Sequence, residues 1–504
     1  MYDYVRKILG ARVYDVAIDS PLDDMPRLSK RLGNSVLLKR EDLQPVFSFK
    51  LRGAYNKMAG LPRAVLDRGV ICASAGNHAQ GVALAAGLLH TKATIVMPSA
   101  TPDIKVDAVR TLGGSVVLFG DNFDAAYAHA RELEAEQGLA FIHPYDDPDV
   151  IAGQGTIGME ILRRHPDPIE AIFVPIGGGG LAAGIAIYTK FLRPDVKVIG
   201  VEPEDAASMQ AALRAGRRVV LDRVGFFADG AAVRQVGEET FRICREHLDG
   251  VITVTTDEVC SAIKDIFEDT RAIPEPAGAL AVAGLKKYVE EQACEGRALV
   301  AINSGANMDF DRLRHISERA EIGEHREALL AVSIPEQPGS YRRFIQLLGT
   351  RSITEFNYRY ADPREAHIFV GVRIADGERE KQQIISMLNE HGYAVVDMSN
   401  NEMAKVHVRY MVGGRAAGLE DELVYRFQFP ERPGALIQFL DSLSDRWSIS
   451  LFHYRNHGAD YGRVLAGIVV PRNERAALKR SLDELSYPYW EETENPAYRS
   501  FLAG

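Results

Sequence analysis

The sequence predicts an α/β protein: a large unit of mainly parallel sheets covered by helices, followed by two ferredoxin-like βαββαβ units. Three observations carry this. From about residue 34 to 320, short continuous apolar runs alternate with helical patterns, as expected of strands buried on both faces. Beyond about residue 322 the strand patterns lengthen and alternate. Within that stretch the chain repeats itself: Ile334-Pro-Glu-Gln-Pro-Gly339 returns as Phe429-Pro-Glu-Arg-Pro-Gly434, and Ile353-Thr-Glu-Phe-Asn-Tyr-Arg359 as Ile449-Ser-Leu-Phe-His-Tyr-Arg455. The offsets are 95 and 96 residues, in the same order, so a small domain has been duplicated in tandem.

Taken in order, Val70 to Ala73 reads as a buried strand, followed by a helix from about His78 to Leu88. Thr94 to Met97 is the next strand, Pro102 to Leu112 a helix, Ser115 to Phe119 a strand and Asn122 to Gln137 a helix. Ala171 to Ile176, Val198 to Val201 and Ala298 to Ile302 are further buried strands. Ligands are expected at the carboxyl ends of such strands. In the first repeat, strands are expected at Ala328–Ile334, Ser352–Tyr360, His367–Arg373 and Ala394–Met398, with helices at Ser340–Leu348 and Glu378–Glu390. The small, flexible run from Gly413 to Gly418 is the natural linker. The expected domains are therefore 1–322, 323–412 and 419–504.

At 504 residues the chain exceeds one ordinary domain. A hydrophobic share of 46% with 25% charged residues is that of a soluble globular protein. The formal net charge of -10 argues against nucleic acid, whose phosphates need clustered Lys and Arg. No apolar run approaches the roughly 20 residues a membrane helix needs, and the first residues lack a secretory signal. Cys72, Cys244, Cys260 and Cys294 are scattered, reading as buried free thiols in a reducing cytoplasm. His453 and His457 are four apart, but Ser448 to Tyr454 reads as a strand, so surface histidines are expected and no metal site.

Four segments carry candidate chemistry. Lys50, in Ser48-Phe49-Lys50-Leu51-Arg52-Gly53-Ala54, begins a helix; alone it reads as a surface lysine. Gly177, Gly178, Gly179, Gly180 and Leu181 follow a strand and open a helix. Such a loop bends tightly and presents backbone N–H groups to an anion, and the helix N-terminus adds positive partial charge. A phosphate cradle fits it better than a flexible turn. The Walker A ending is absent, and the dinucleotide fingerprint fails at Ala182. Ser74-Ala75-Gly76-Asn77-His78 ends one strand, where small residues can hold a carboxylate and the Asn77 amide can reach a polar ring substituent. Asn303-Ser304-Gly305-Ala306-Asn307 ends another, where Ser304 can bond a ring nitrogen without supplying a counter-charge. Each of these last two also fits an ordinary helix cap.

In this order, Ser-Phe-Lys-x-Arg-Gly-Ala, Ser-Ala-Gly-Asn-His-Ala-Gln-Gly, Gly-Gly-Gly-Gly-Leu and Ser-Gly-Ala-Asn resemble the fold-type II pyridoxal-phosphate enzymes, nearest the serine/threonine dehydratase group. With the doubled C-terminal unit, the chain resembles the biosynthetic threonine deaminases (threonine ammonia-lyases) from Pro21 to Gly504. The resemblance implies that Lys50 holds pyridoxal 5'-phosphate covalently and, once freed, acts as general base at Cα. It implies further that Asn77 bonds the cofactor ring hydroxyl, that Gly177 to Leu181 bind its phosphate and that Ser304 bonds its pyridine nitrogen. Phe49 would pack on the ring, and Ser74, Gly76 and His78 would line the substrate carboxylate pocket. A serine at the ring nitrogen favours loss of a β-leaving group over transamination. Ala75, standing where related serine racemases have a proton-bearing serine, favours elimination over racemisation. Hydroxide needs an acid to leave: the cofactor phosphate is one candidate, Glu275 the other.

The implied reaction converts L-threonine to 2-oxobutanoate and ammonia, the first step of isoleucine biosynthesis, with some serine turnover expected. The two repeats resemble ACT-like amino-acid-sensing domains, implying inhibition by isoleucine and activation by valine. The Pro-Gly turns at Gln337–Gly339 and Arg432–Gly434 are the expected effector loops, and an oligomerisation role is compatible with this. The resemblance also suggests a homotetramer. The alternatives are a serine dehydratase, a threonine synthase, or a non-catalytic amino-acid-binding regulator.

Overall fold

The computed structural model describes residues 1–502 except 226, 311, 338, 361–362, 407, 412–415, 417–418, 420, 431–433, 444–445, 456–460 and 486. Most of the expected Gly413-to-Gly418 linker, the prolines of both Pro-Gly turns and His457 lie outside the described residues. The chain forms two compact units, Met1–Gly323 and Glu324–Gly504.

The first unit contains two mainly parallel sheets, as expected, though the sequence did not say which strands belong to which. The larger has six strands in the order Leu22–Asp24, Ser35–Arg40, Ala298–Asn303, Ala171–Pro175, Lys197–Pro203 and Gly250–Val254. All pairs are parallel except the first, an antiparallel edge. The smaller has four parallel strands: Ser115–Leu118, Ala93–Met97, Val70–Ala73 and Ala140–Phe141. Apolar runs look alike whichever sheet they join, so periodicity could not separate the two. The helix Tyr2–Leu9 and the strand Gly250–Val254 were also not anticipated. Cys72, Cys244 and Cys260 are buried free thiols as expected, but Cys294 is half-buried.

Helix packing in this unit depends on glycine. A Cβ on Gly81 would lie 3.1 Å from the Leu51 Cα, so helix Asn77–Leu88 approaches helix Lys50–Ala59 backbone to backbone. A Cβ on Gly153 of helix Pro148–Arg164 would lie 2.8 Å from the Gly53 Cα. Beneath the start of helix Lys50–Ala59 lies a buried charge network. Arg52 donates to Glu41 (Nε, 2.8 Å) and Glu160 (Nη1, 2.6 Å), and Lys39 donates to Glu160 (2.6 Å). All four side chains are fully buried. With two charges of each sign, the network is neutral.

The second unit is one antiparallel eight-stranded sheet ordered Ala394–Asp397, Glu327–Pro335, Glu365–Arg373, Ile353–Arg359, Ser448–Arg455, Tyr461–Val469, Glu422–Pro430 and Tyr489–Glu491. Each half has the ferredoxin-like order 4-1-3-2, and the halves meet along the duplicated motif. Asn357 pairs with His453, its own counterpart in the repeat, so the join is a pseudo-two-fold. The register shift at Ile353/Glu355 recurs at Ile449/Leu451. One core, including Phe344, Phe356, Phe427, Phe439 and Phe452, runs under both halves.

Candidate active site

Three loops follow parallel strands of the first unit at their carboxyl ends. Residues 74–78 follow Val70–Ala73, 177–180 follow Ala171–Pro175 and 304–307 follow Ala298–Asn303. Backbone contacts draw Lys50 towards the last of these. Ser48 bridges to Gly305, and the Phe49 N–H donates to the Ser304 carbonyl at 3.3 Å.

Lys50 opens its helix, half-buried, with Nζ donating to the Pro144 carbonyl at 3.0 Å and lying 5.3 Å from the centre of the Phe49 ring. Burial of the amine pushes its pKa down to about 8, against a smaller opposing pull from the Glu275 charge. Phe49 also packs against the core. The residue after Pro144 reaches the glycine loop: a Cβ on Gly178 would fall 2.2 Å from the Tyr145 ring, and one on Gly180 2.9 Å from the Tyr145 carbonyl. Gly179 has φ +97, a conformation side chains rarely adopt. The loop thus requires glycine, and helix Gly180–Leu192 begins at once, with Leu181 buried in its first turn.

In the second loop, Ser74 to Asn77 are half-buried, and the Gly76 N–H donates to Ser74 Oγ at 3.3 Å. A Cβ on Gly76 would meet open space, so the loop faces a free volume. The His78 side chain turns inward, Nε2 lying 2.8 Å from the Ile142 carbonyl, and burial lowers its pKa to about 3. It is neutral, and its backbone N–H, near the helix N-terminus, is the part available to a carboxylate. Asn77 is held at both ends: Nδ2 donates to Glu275 at 2.7 Å, and Oδ1 accepts from Asn307 Nδ2 at 2.7 Å. Ser304 is buried, its hydroxyl 3.4 Å from the Ala277 carbonyl.

Glu275, the residue before helix Pro276–Gln292, is buried, and desolvation followed by the Asp229 charge raises its pKa to about 8. It therefore carries a proton at neutral pH. The sequence reading offered it only as an alternative acid and passed over Asn307, Pro144 and Tyr145. Asn307 ends the Ser-Gly-Ala-Asn motif; Pro144 and Tyr145 are loop residues with no local pattern to mark them.

The site's residues fit pyridoxal phosphate. A side-chain-free cradle at a helix N-terminus suits its phosphate, and an amine with lowered pKa suits its aldehyde. Residues 13–305 match the pyridoxal-phosphate dependent enzyme family, and residues 318–408 and 413–502 each match the C-terminal regulatory domain of threonine dehydratase. Biosynthetic L-threonine dehydratase IlvA of Burkholderia multivorans is 59% identical over 100% of this chain and 99% of its own. The chain belongs to the biosynthetic L-threonine dehydratases. The Escherichia coli member is 57% identical over 100% of this chain and 97% of its own. Among solved structures, the processed form of threonine deaminase isoform 2 from Solanum lycopersicum is 55% identical, with TM-score 0.62, covering 63% of this chain and 93% of that one. Maize serine racemase is 30% identical, with TM-score 0.59, covering 64% and 98%. Membership in this family makes the chain a pyridoxal-phosphate-dependent lyase.

Among the described residues no helix is long and apolar enough to cross a membrane, and no group of three or more His, Cys, Asp or Glu is placed to hold a metal ion.

Proposed function

We propose that this chain eliminates water from L-threonine and that the released enamine tautomerises and takes up water again to give 2-oxobutanoate and ammonia, as the regulated first step of isoleucine biosynthesis. The observation that carries this reading is the inward-turned Lys50 amine, of lowered pKa, beside the Pro144–Tyr145 segment that packs on the glycine cradle. Pyridoxal phosphate, when bound, acidifies the Cα–H of an amino acid joined to it.

The chain's own groups do the rest. Lys50 Nζ would hold the cofactor and, as a free amine, would take the Cα proton; a pKa near 8 keeps a working fraction neutral near physiological pH. The N–H groups of Gly177 to Leu181 would hold the phosphate. Asn77 addresses the ring hydroxyl and Ser304 the ring nitrogen. Ser74, Gly76 and the His78 backbone hold the substrate carboxylate. Glu275, neutral and anchored by Asn77, holds a proton that the departing hydroxyl can take. Ala75 offers no proton for racemisation.

Residues 1–322 form the catalytic domain in this reading, with regulatory domains at 323–412 and 419–504, in a cytoplasmic homotetramer. Isoleucine inhibits and valine opposes it. The duplicated sheet supports this, because a pseudo-symmetric interface can be bistable.

Steady-state assays of the holoenzyme test the reading. Threonine should be preferred over serine by about 10–200-fold in kcat/KM, the worth of one methyl group. Isoleucine should lower the threonine rate and valine restore it. Equal use of serine would overturn the substrate assignment, and indifference to isoleucine the regulatory one.

A further inference from the structure

The turn Asp229–Ala231 stands between two parts of the candidate site. On one side, a Cβ on Gly230 would lie 3.4 Å from Glu275 Oε1 and 3.0 Å from the Ala277 Cβ, so backbone is set directly against the buried carboxyl. On the other, a Cβ on Gly177 of the glycine cradle would lie 3.1 Å from the Ala231 Cα. The turn therefore ties the carboxyl to the cradle.

Asp229, first in the turn, is engaged from the side of the other sheet. Lys105 belongs to helix Asp103–Thr111, which follows strand Ala93–Met97 of the four-stranded sheet, and its Nζ lies 2.8 Å from Asp229 Oδ2. Arg312 Nη1 lies 3.4 Å from Asp229 Oδ1 and donates to the Phe227 carbonyl at 3.3 Å. The Lys105–Asp229 pair is half-exposed and contributes little to stability. Its consequence is electrostatic. Burial is the main reason that Glu275 keeps its proton, and the Asp229 charge comes next; the Asn77 hydrogen bond, then Lys105 and Lys50, pull the other way. A like charge disfavours ionisation of a neighbouring carboxyl, and a cation paired with that charge offsets part of the effect.

We propose that Asp229 is a positioning residue for the elimination: with its charge fixed by Lys105, it holds the proton on Glu275 for the departing hydroxyl to take. It acts through Glu275 and not on the substrate. The inference rests on the reading of Glu275 as the acid and deepens it. Lys105 sets the strength of that acid: paired with Asp229 it eases release of the proton, and parted from it the carboxyl holds the proton more tightly.

Two substitutions of opposite sign test the role. In the holoenzyme, the alkaline limb of the kcat–pH profile for threonine follows loss of the acid's proton. Asp229→Asn removes the like charge and should move that limb to lower pH by about half a unit or more. Lys105→Gln removes the opposing charge and should move it to higher pH. The carboxylic C=O stretch of Glu275 gives a readout besides turnover, taken from infrared difference spectra between each cofactor-free protein and its Glu275→Gln counterpart. It should titrate with the same pair of opposite shifts. A merely structural role would lower turnover without moving the limb, or move both variants in one direction. Unshifted limbs, shifts of one sign, or an infrared titration unmoved by either substitution would overturn the role of Asp229 while leaving Glu275 as the acid. A Glu275→Gln enzyme with full turnover would overturn the acid and the role of Asp229 together.

Discussion

At the scale of residues, burial sets the chemistry of Lys50 and Glu275. Both titrate near 8, the lysine pushed down and the carboxyl pushed up by loss of water. For Glu275 the sign of the pH effect follows. Its folded pKa of about 8 lies above its ordinary value of 4.5, so the folded state binds more protons between them. Its contribution to stability is full below about pH 4.5 and is lost as pH rises through about 8. The melting temperature of cofactor-free wild type should therefore fall relative to Glu275→Gln between pH 5 and 9; a constant difference would contradict the assignment. In the holoenzyme, Glu275→Gln should lower kcat about 10²-fold if it supplies the proton to hydroxide, and full turnover would exclude that role. At Gly178, alanine would drive a methyl into the Tyr145 ring. Fluorescence titration should show pyridoxal phosphate bound at least tenfold more weakly by Gly178→Ala, from about 1–3 kcal/mol of overpacking. Lys50, Asn77, the glycine run and Ser304 were singled out in the sequence because each sits in a local motif. The grip of Glu275 and Asn307 on Asn77 was not, since it joins segments about 200 residues apart in the chain.

Among elements, helix Lys50–Ala59 is the part whose position matters most, because its first residue is the lysine. It is fixed by close glycine approaches on two sides and by the Arg52 network beneath. Removing one member of a buried ion network strands its partners, at a cost of about 3–5 kcal/mol. Arg52→Met or Glu160→Gln should lower the unfolding free energy obtained from urea titration by that amount; a change below about 1 kcal/mol would show the network to be dispensable. Element type was readable from periodicity: strand Val70–Ala73 and helix Ser340–Leu348 fall where the pattern puts them. Sheet membership was not. Val70–Ala73 and Ala171–Pro175 are both short apolar runs, and what assigns them to different sheets is backbone pairing with distant strands, which leaves no mark on their own residues. The charged network was equally hidden, because Arg52 and Glu160 lie 108 residues apart in the chain and only folding brings them together.

For the whole molecule, the division into Met1–Gly323 and Glu324–Gly504 falls close to the boundary between the pyridoxal-phosphate enzyme match and the two regulatory-domain matches. The duplication was legible in full: the repeated Phe-Asn-Tyr-Arg and Phe-His-Tyr-Arg segments pair with each other at the centre of the eight-stranded sheet. Deleting residues 324–504 should leave threonine turnover within about tenfold of wild type and abolish the isoleucine response; inhibition that persists in the truncated enzyme would place control in the first unit. In the proposed reaction Lys50 carries the cofactor for threonine elimination. Borohydride reduction of the holoenzyme, followed by peptide mass spectrometry, tests it most directly. The protein should be yellow and should lose its colour and its threonine turnover together, with the pyridoxyl label on Lys50; a label on any other lysine, or threonine turnover without bound pyridoxal phosphate, would rule this role of Lys50 out.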